Sequence, residues 1–487
     1  MKRTILTILL IGLVLGSCSK SQGGTPGGGE TDPVTLPRKE MRAVWIASVD
    51  RMDWPRSYDA EAQKKQYTDY LDQFRQYDIN TVVMQIRPMA DAFFPSALEP
   101  WSQFITGTQG TNPGYDVLRF MIDEAHKRGM EFHAWLNPYR ISNNVNTFRP
   151  APSHIYNTHP EWTMTYGKLL IFRPALPEVR QHLVDVIDEI ITNYDVDGIH
   201  FDDYFYPYPA SGVELDDQGD FLKYGAGFDD IEDFRRDNVN QVIRSIHELI
   251  VAKRPDVLFS ISPYGVWRNS TDDPAGSQTA GITNYDDLYA DIRLWCEQGW
   301  IDYVVPQLYA STENINMNFI KQVKWWAENS FDVPVVIGHG LYKFGNPAEG
   351  QIFMNPLELE NQFFYARRNP DIAGSMMFNA SAFANNKIDI LSTVAKIYAK
   401  RTVPPFFGRH TSPEPGAVQG LSLSGGTLSW NDPGQGLRAV VYRIDDDDQA
   451  HVVTITTGHS IPAEKGTRYG VSLLNGDNAE GPLSLAQ

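Results

Sequence analysis

Cysteine is almost absent from this chain: two in 487 residues, Cys18 and Cys296. Because Cys18 is expected to carry lipid, as argued below, Cys296 has no intramolecular partner and no disulfide is expected. Basic residues are also short, 42 Lys and Arg against 60 Asp and Glu, a formal charge of -18. A nucleic acid or an anionic surface needs a basic patch, so neither is the expected partner. The apolar run at residues 5–15 falls short of the roughly 20 residues a membrane-spanning helix requires. No HExxH and no tight His/Cys cluster occurs, so neither a metal nor another cofactor is called for. Nor is there a glycine-rich phosphate loop after the first predicted strand, where the chain reads VDRMDWP.

Aromatic residues are plentiful: 11 Trp, 23 Tyr and 24 Phe. Most such rings build core, and some can line a carbohydrate groove. The N-terminus, MKRTILTILLIGLVLGSCSK, has a basic start, a short apolar run and small residues before Cys18. That is a secretory signal. Its LGSC at residues 15–18 resembles a bacterial lipobox, which makes Cys18 the lipidated first residue after a signal peptide at 1–17. A glycine-rich tether through residue 37 would let the folded part stand off a membrane.

From residue 41, short apolar runs alternate with helical patterns. Strands are expected at 42–49, 80–86, 130–136, 196–202, 257–263, 301–307, 333–339 and 372–378. Helices are expected at 61–77, 115–129, 175–194 and 229–253, and near 315–329, 357–368 and 384–398. Eight strand–helix repeats indicate an α/β fold, a (β/α)8 TIM barrel over 38–402. Residues 401–415 contain four prolines and read as a linker, with 403–415 its expected extent. Residues 416–487 then alternate on a two-residue period without helices. With Trp430 and Tyr469 they suggest a small all-β sandwich resembling fibronectin type III.

Catalytic groups of such a barrel sit at the C-terminal ends of its strands. The decisive stretch is DGIHFDDYFYPYP, residues 197–209. Strand alternation turns Ile199 and Phe201 toward the helices, and Gly198, His200 and Asp202 toward the axis. Asp202 is then the last inward residue and Asp203 opens the loop. The same parity brings Arg87, His133, Trp135, Asn137, Tyr264, Gln307 and Tyr309 to the mouth. Together these form a polar and aromatic ring that suits substrate binding. A carboxylate pair suits glycosidic cleavage: one group protonates the leaving oxygen, and another stabilises or attacks the electron-poor carbon or activates water. Tyr204, Tyr206, Trp135 and Tyr264 can stack on sugar faces, and Trp267 joins them as a binding candidate. Glu313, just past strand six, is the favoured further catalytic carboxylate, ahead of Asp91, Asp272 and Asp273. Two other readings stay open: a non-catalytic glycan-binding surface lipoprotein, or a metal-dependent hydrolase or deacetylase built on Asp202, Asp203, His200 and His133.

MRAVWIASV with the following DWP, TVVMQIRPMADAFFPSALEPWS, FHAWLNPYR, DGIHFDDYFYP, SISPYGVWRN and VVPQLYAS together resemble the glycosyl-hydrolase-like 10 family, over roughly residues 38–400. The resemblance implies a barrel glycoside hydrolase. The family's strand-four acidic pair matches Asp202 and Asp203, its RP motif Arg87 and Pro88, and its NPYR motif Asn137 and Arg140. A lipoprotein member cuts peptidoglycan strands freed of their stem peptides. The resemblance therefore implies an endo-acting enzyme on an envelope or extracellular glycan. The expected protein is a monomer held at the bacterial cell envelope through Cys18. The Asp pair is also similar to that of barrel hexosaminidases, in which one Asp is the acid and its neighbour orients the substrate's acetamido group.

Overall fold

A computed structural model describes residues 34–409 and 411–486. The expected signal peptide, Cys18 and tether lie outside the described residues. Eight parallel strands close into a barrel: β1 (Met41–Ile46), β2 (Thr81–Arg87), β3 (Glu131–Leu136), β4 (Gly198–Phe201), β5 (Leu258–Ile261), β6 (Tyr303–Val304), β7 (Val335–Gly340) and β8 (Ile372–Phe378). Neighbours follow chain order, and β8 pairs with β1 to close the ring.

Alternation along these strands sorts two apolar layers. Val44, Ile46, Ile199 and Phe201 face the helices and join the large outer core, while Ala43, Trp45, Val83 and Met376 fill the barrel interior. The helices present matching stripes. Ala60–Gln76 buries Gln63, Tyr67, Tyr70, Leu71 and Phe74 at three- and four-residue intervals, and Asp59 caps its first turn by accepting from Ala62 N. Helices at Val117–His126, Pro177–Asn193, Ile231–Lys253 and Leu357–Arg368 match expectation within a few residues.

The structure departs from the expected pattern in four places. The helix expected near 384–398 is split into Ala380–Asn385 and Ile390–Ile397, with Asn386, Ile388 and Asp389 in left-handed conformations between them. Strand six forms a ladder over two residues only, because Pro306 has no N–H to offer. Gln307 resumes the pairing through bridges to Tyr264 and Gly338. The fifth crossover carries only the short helix Ile292–Glu297. Between β3 and β4 lies an unforeseen three-stranded sheet of Arg140–Ser142, Leu169–Phe172 and Thr163–Tyr166.

Beyond the barrel, seven strands form two antiparallel sheets. One contains Ser422–Ser424, Thr427–Ser429 and Ser460–Pro462; the other contains Arg438–Ile444, Ala450–Thr456, Arg468–Leu474 and Ser484–Leu485. Trp430, Leu428, Val441 and Val471 pack between them. The segment joining barrel and sandwich is itself packed. Phe407 stacks on Tyr303, ring centroids 5.0 Å apart, at the N-terminal end of the barrel interior. Arg409 pairs with Asp302 at 2.8 Å, and Asn478 of the sandwich donates to Glu131 at 2.5 Å. The sandwich therefore closes the barrel end opposite the C-terminal strand ends.

Candidate active site

The C-terminal strand ends surround a cleft of about 600 Å³ whose floor holds Asp202 and Asp203. Register sets Gln85, Trp135, His200 and Ser260 side by side in one interior layer, with Asp202 one step above. His200 is neutral, because burial pushes it well below its usual value. It accepts from the Trp45 indole at Nε2 (3.1 Å), which leaves Nδ1–H to donate to Ser260 Oγ (2.8 Å). This fixes Trp45 at the cleft floor. Strand β7 contributes no inward side chain there. A Cβ on Gly338 would lie 3.1 Å from the Trp45 ring, and one on Gly340 3.1 Å from the Tyr309 ring, so the two glycines make room for those aromatics.

Asp202 is enclosed. Its Oδ2 accepts from Trp135 Nε1 at 2.9 Å, and the Asn137 amide donates to both oxygens at 3.1 and 3.2 Å. The backbone N–H of Tyr204 adds a contact at 3.3 Å. Asn137 cannot turn its amide over, because its Oδ1 accepts from Arg140 N at 2.8 Å. Burial pushes Asp202 up to about 6; the Arg140 guanidinium opposes the shift and the Asp203 charge adds to it. Asp203 is raised as well, by burial, against hydrogen bonds from Tyr208 and Gln307. The Tyr208 hydroxyl donates to Asp203 Oδ2. Arg140 lies with its guanidinium carbon 4.8 Å over the Tyr204 ring, and its Nε donates to the Pro88 carbonyl.

Two groups of rings make the walls. Tyr204, Tyr208 and Tyr264 sit edge to face at 5.7 and 6.1 Å. Trp45, Tyr309, Tyr342 and Phe378 form the second group, with centroids 5.9 to 6.0 Å apart. Lys343 and Glu349, paired at 3.0 Å, also line the cleft.

The sequence-predicted residues divide. Asp202, Asp203, Trp135, Arg140, Tyr204, Tyr264, Gln307 and Tyr309 line the cleft. Asn137 is buried behind Asp202 and orients it. The others are placed elsewhere. Arg87 is fully buried, bound to Glu99 at 2.5 and 2.7 Å and to the Asn137 carbonyl at 2.6 Å, leaving it no reach toward a substrate. His133 and His200 lie within the barrel interior, the former bonded to Tyr303 at 2.7 Å. Tyr206 is buried against Tyr289, and Trp267 stacks on Trp325 with its indole N–H given to Asp291. Glu313 is exposed on its loop and does not line the cleft. Of its rivals, Asp91 is buried outside the cleft with Gln109, Asp273 pairs with Arg268, and Asp272 is exposed and bonds Asn269 and Thr271 in the same loop. The four groups weighed as metal ligands are not brought together. Among the described residues, no three His, Cys, Asp or Glu side chains are grouped to hold an ion.

Sequence reasoning missed Trp45, Tyr208, Tyr342, Phe378 and Glu349. Trp45 and Phe378 were accessible to it, since Trp45 has inward parity on β1 and Phe378 ends β8. Tyr342 and Glu349 lie in a loop, where no periodicity tells direction.

A closed parallel barrel with a buried carboxylate pair under an aromatic cleft at its strand ends is a glycoside-hydrolase-type architecture. The chain belongs to the glycosyl hydrolase-like 10 family, whose profile matches residues 40–352. It is 43% identical over 375 residues to the glycosyl hydrolase YngK of Bacillus subtilis (strain 168), covering 75% of this chain and 73% of that one. It is 37% identical over 400 residues to the glycosyl hydrolase DigH of Escherichia coli (strain K12), covering 76% and 91% respectively. Among solved structures, the PgaB (BpsB) glycoside hydrolase domain from Bordetella bronchiseptica aligns with 74% of this chain and 99% of itself, at 12% identity and a TM-score of 0.48.

Proposed function

We propose that the protein is a glycoside hydrolase that cuts within glycan chains, using Asp202 and Asp203 as its acid and carboxylate. The observation that carries this reading is the pair itself: two adjacent, buried carboxyl groups on the floor of an aromatic cleft. Two such groups cannot both ionise cheaply, so the pair holds one proton across a range reaching toward neutral pH. One carboxyl can then protonate the leaving glycosidic oxygen while the other stabilises the oxocarbenium-like centre or directs what attacks it. The two separate aromatic groups offer stacking surface for more than one sugar, which suits an endo-acting enzyme.

The substrate proposed is a cell-envelope or extracellular glycan, peptidoglycan strands among them, and the setting a lipoprotein anchored through Cys18. Residues 34–39 support that setting by their position. Thr35 bridges Gln449, and Lys39 pairs with Glu480 at 2.8 Å, both on the sandwich. A tether from Cys18 would join the molecule at the end away from the cleft. The sandwich is proposed to be fibronectin type III-like, supported by the Tyr469 hydroxyl accepting from the backbone N–H of Glu464 at 3.1 Å.

The test is release of reducing ends from a glycan that the wild type cuts. Asp202→Asn and Asp203→Asn should each lower the rate at least about 100-fold. A wild-type rate from either variant overturns the assignment.

A further inference from the structure

Asp202 and Asp203 differ in the kind of group that holds them. Every hydrogen bond to Asp202 comes from an N–H: the Trp135 indole, the Asn137 amide and the Tyr204 backbone. An N–H donates and cannot accept. A proton on either oxygen of Asp202 therefore sets donor against donor in at least one of these contacts, and Asn137 cannot turn to relieve it because Arg140 N holds its Oδ1.

Asp203 also takes N–H donors, the Gln307 amide and its own backbone N–H, but its Oδ2 in addition meets a hydroxyl. Tyr208 donates to its Oδ2, and a hydroxyl can rotate to accept from a protonated carboxyl as readily as it donates to an ionised one. The contact survives in both protonation states. Burial, followed by the Asp203 charge, raises the Tyr208 phenol, so Tyr208 keeps its own proton throughout. The ring is also held in place. Tyr208 lies between Pro207 and Pro209, each of which fixes a backbone torsion. Its ring sits edge to face with those of Tyr204 and Tyr264, and Ala210 N donates to Tyr166 Oη at 2.8 Å to pin the loop.

We propose that Tyr208 is a positioning residue whose hydroxyl keeps its contact with Asp203 in both protonation states, so that Asp203 serves as the proton donor of the pair and Asp202 as the carboxylate. The assignment rests on the glycoside hydrolase reading above and divides the labour within it. In the step it implies, the proton of Asp203 passes to the glycosidic oxygen, which leaves with the electron pair of the breaking C–O bond. The Tyr208 hydroxyl turns to donate to the new carboxylate. Water supplies the hydroxyl of the new reducing end, and its remaining proton restores the singly protonated pair.

Tyr208→Phe keeps the ring and removes only the hydroxyl. Its kcat should fall up to about 100-fold with KM within about twofold of wild type. The alkaline limb of kcat should move to higher pH, because the ionised form of Asp203 loses a donor. An unchanged kcat and pH profile, or a rise in KM alone, overturns the proposal. A second measurement needs neither this variant nor turnover. Infrared spectra at the pH of highest activity should show a protonated-carboxyl band that disappears in Asp203→Asn and persists in Asp202→Asn. The reverse pattern places the proton on Asp202 and overturns the proposal. Failure of the wild type to release reducing ends from any glycan would instead defeat the underlying reading, whatever the infrared result.

Discussion

At Asp202, burial and the neighbouring charges act in known directions. Burial raises the group to about 6, Arg140 holds it down and Asp203 pushes it up. If Asp202 works as the carboxylate beside a protonated Asp203, the push from the Asp203 charge is absent. Activity then falls as pH drops through a range below about 6, where Asp202 takes up a proton. Arg140→Gln removes the opposing charge, so the acid limb of kcat/KM should move to higher pH. A limb that stays in place would contradict the electrostatic account. Asp91 gives a stability counterpart. It is buried with Gln109 on one oxygen, and burial pushes it up to about 7 against hydrogen bonds from Gln109 and Ser102. An unfolded Asp titrates near about 3.9. Between about pH 4 and 7 the folded state therefore holds the extra proton, and stability falls as pH rises, by at most about 4 kcal/mol. Melting temperatures measured at pH 5 and pH 8 should lie closer together in Asp91→Asn than in the wild type.

Among the elements, β7 shows how a strand shapes a cleft without entering it. Gly340→Ala places a methyl 3.1 Å from the Tyr309 ring, and Gly338→Ala places one 2.9 Å from the Pro306 carbonyl. Overpacking of this kind costs about 1–3 kcal/mol. Both variants should melt earlier than wild type, and Gly340→Ala should also raise KM, as Tyr309 shifts; an unchanged melting temperature in both would show the space is slack. The barrel strands were legible in the sequence because alternation separates Ile199 and Phe201 from His200 and Asp202, and that parity holds in the structure. Legibility failed where periodicity stops. Pro306 cuts β6 short, and the strands of three or four residues between β3 and β4 are too brief to show alternation. Arg87 has the right parity for the mouth, yet Glu99, twelve residues on, claims it. Parity gives the face of a strand; it does not say which partner a long side chain meets there. Tyr206 and Tyr208 stand two apart in one loop, and only packing sends the first against Tyr289 and the second to Asp203.

For the whole molecule, the sandwich and the segment before it act as the base of the barrel. Phe407 fills the interior beneath Tyr303, Arg409 neutralises Asp302, and Asn478 bonds Glu131, all at N-terminal strand ends. Truncation after Thr402 removes all three contacts and should lower the melting temperature markedly. Truncation after Arg409 keeps the first two and should lower it less. Equal melting of the two shortened chains, followed by calorimetry, would show that Phe407 and Arg409 add nothing to the barrel. This arrangement leaves the cleft at the far end, clear of the sandwich.

The central claim is that Asp203, of the Asp202–Asp203 pair, protonates the leaving sugar. It is tested most directly by changing the leaving group. Nitrophenolate departs without a proton, whereas a sugar alkoxide does not. On nitrophenyl glycosides of the oligosaccharide that the wild type cuts, Asp203→Asn should keep at least about a tenth of the bond-cleavage rate, while on the natural glycan it should fall about 100-fold or more. Equal loss on both substrates, or no loss on either, would contradict the account.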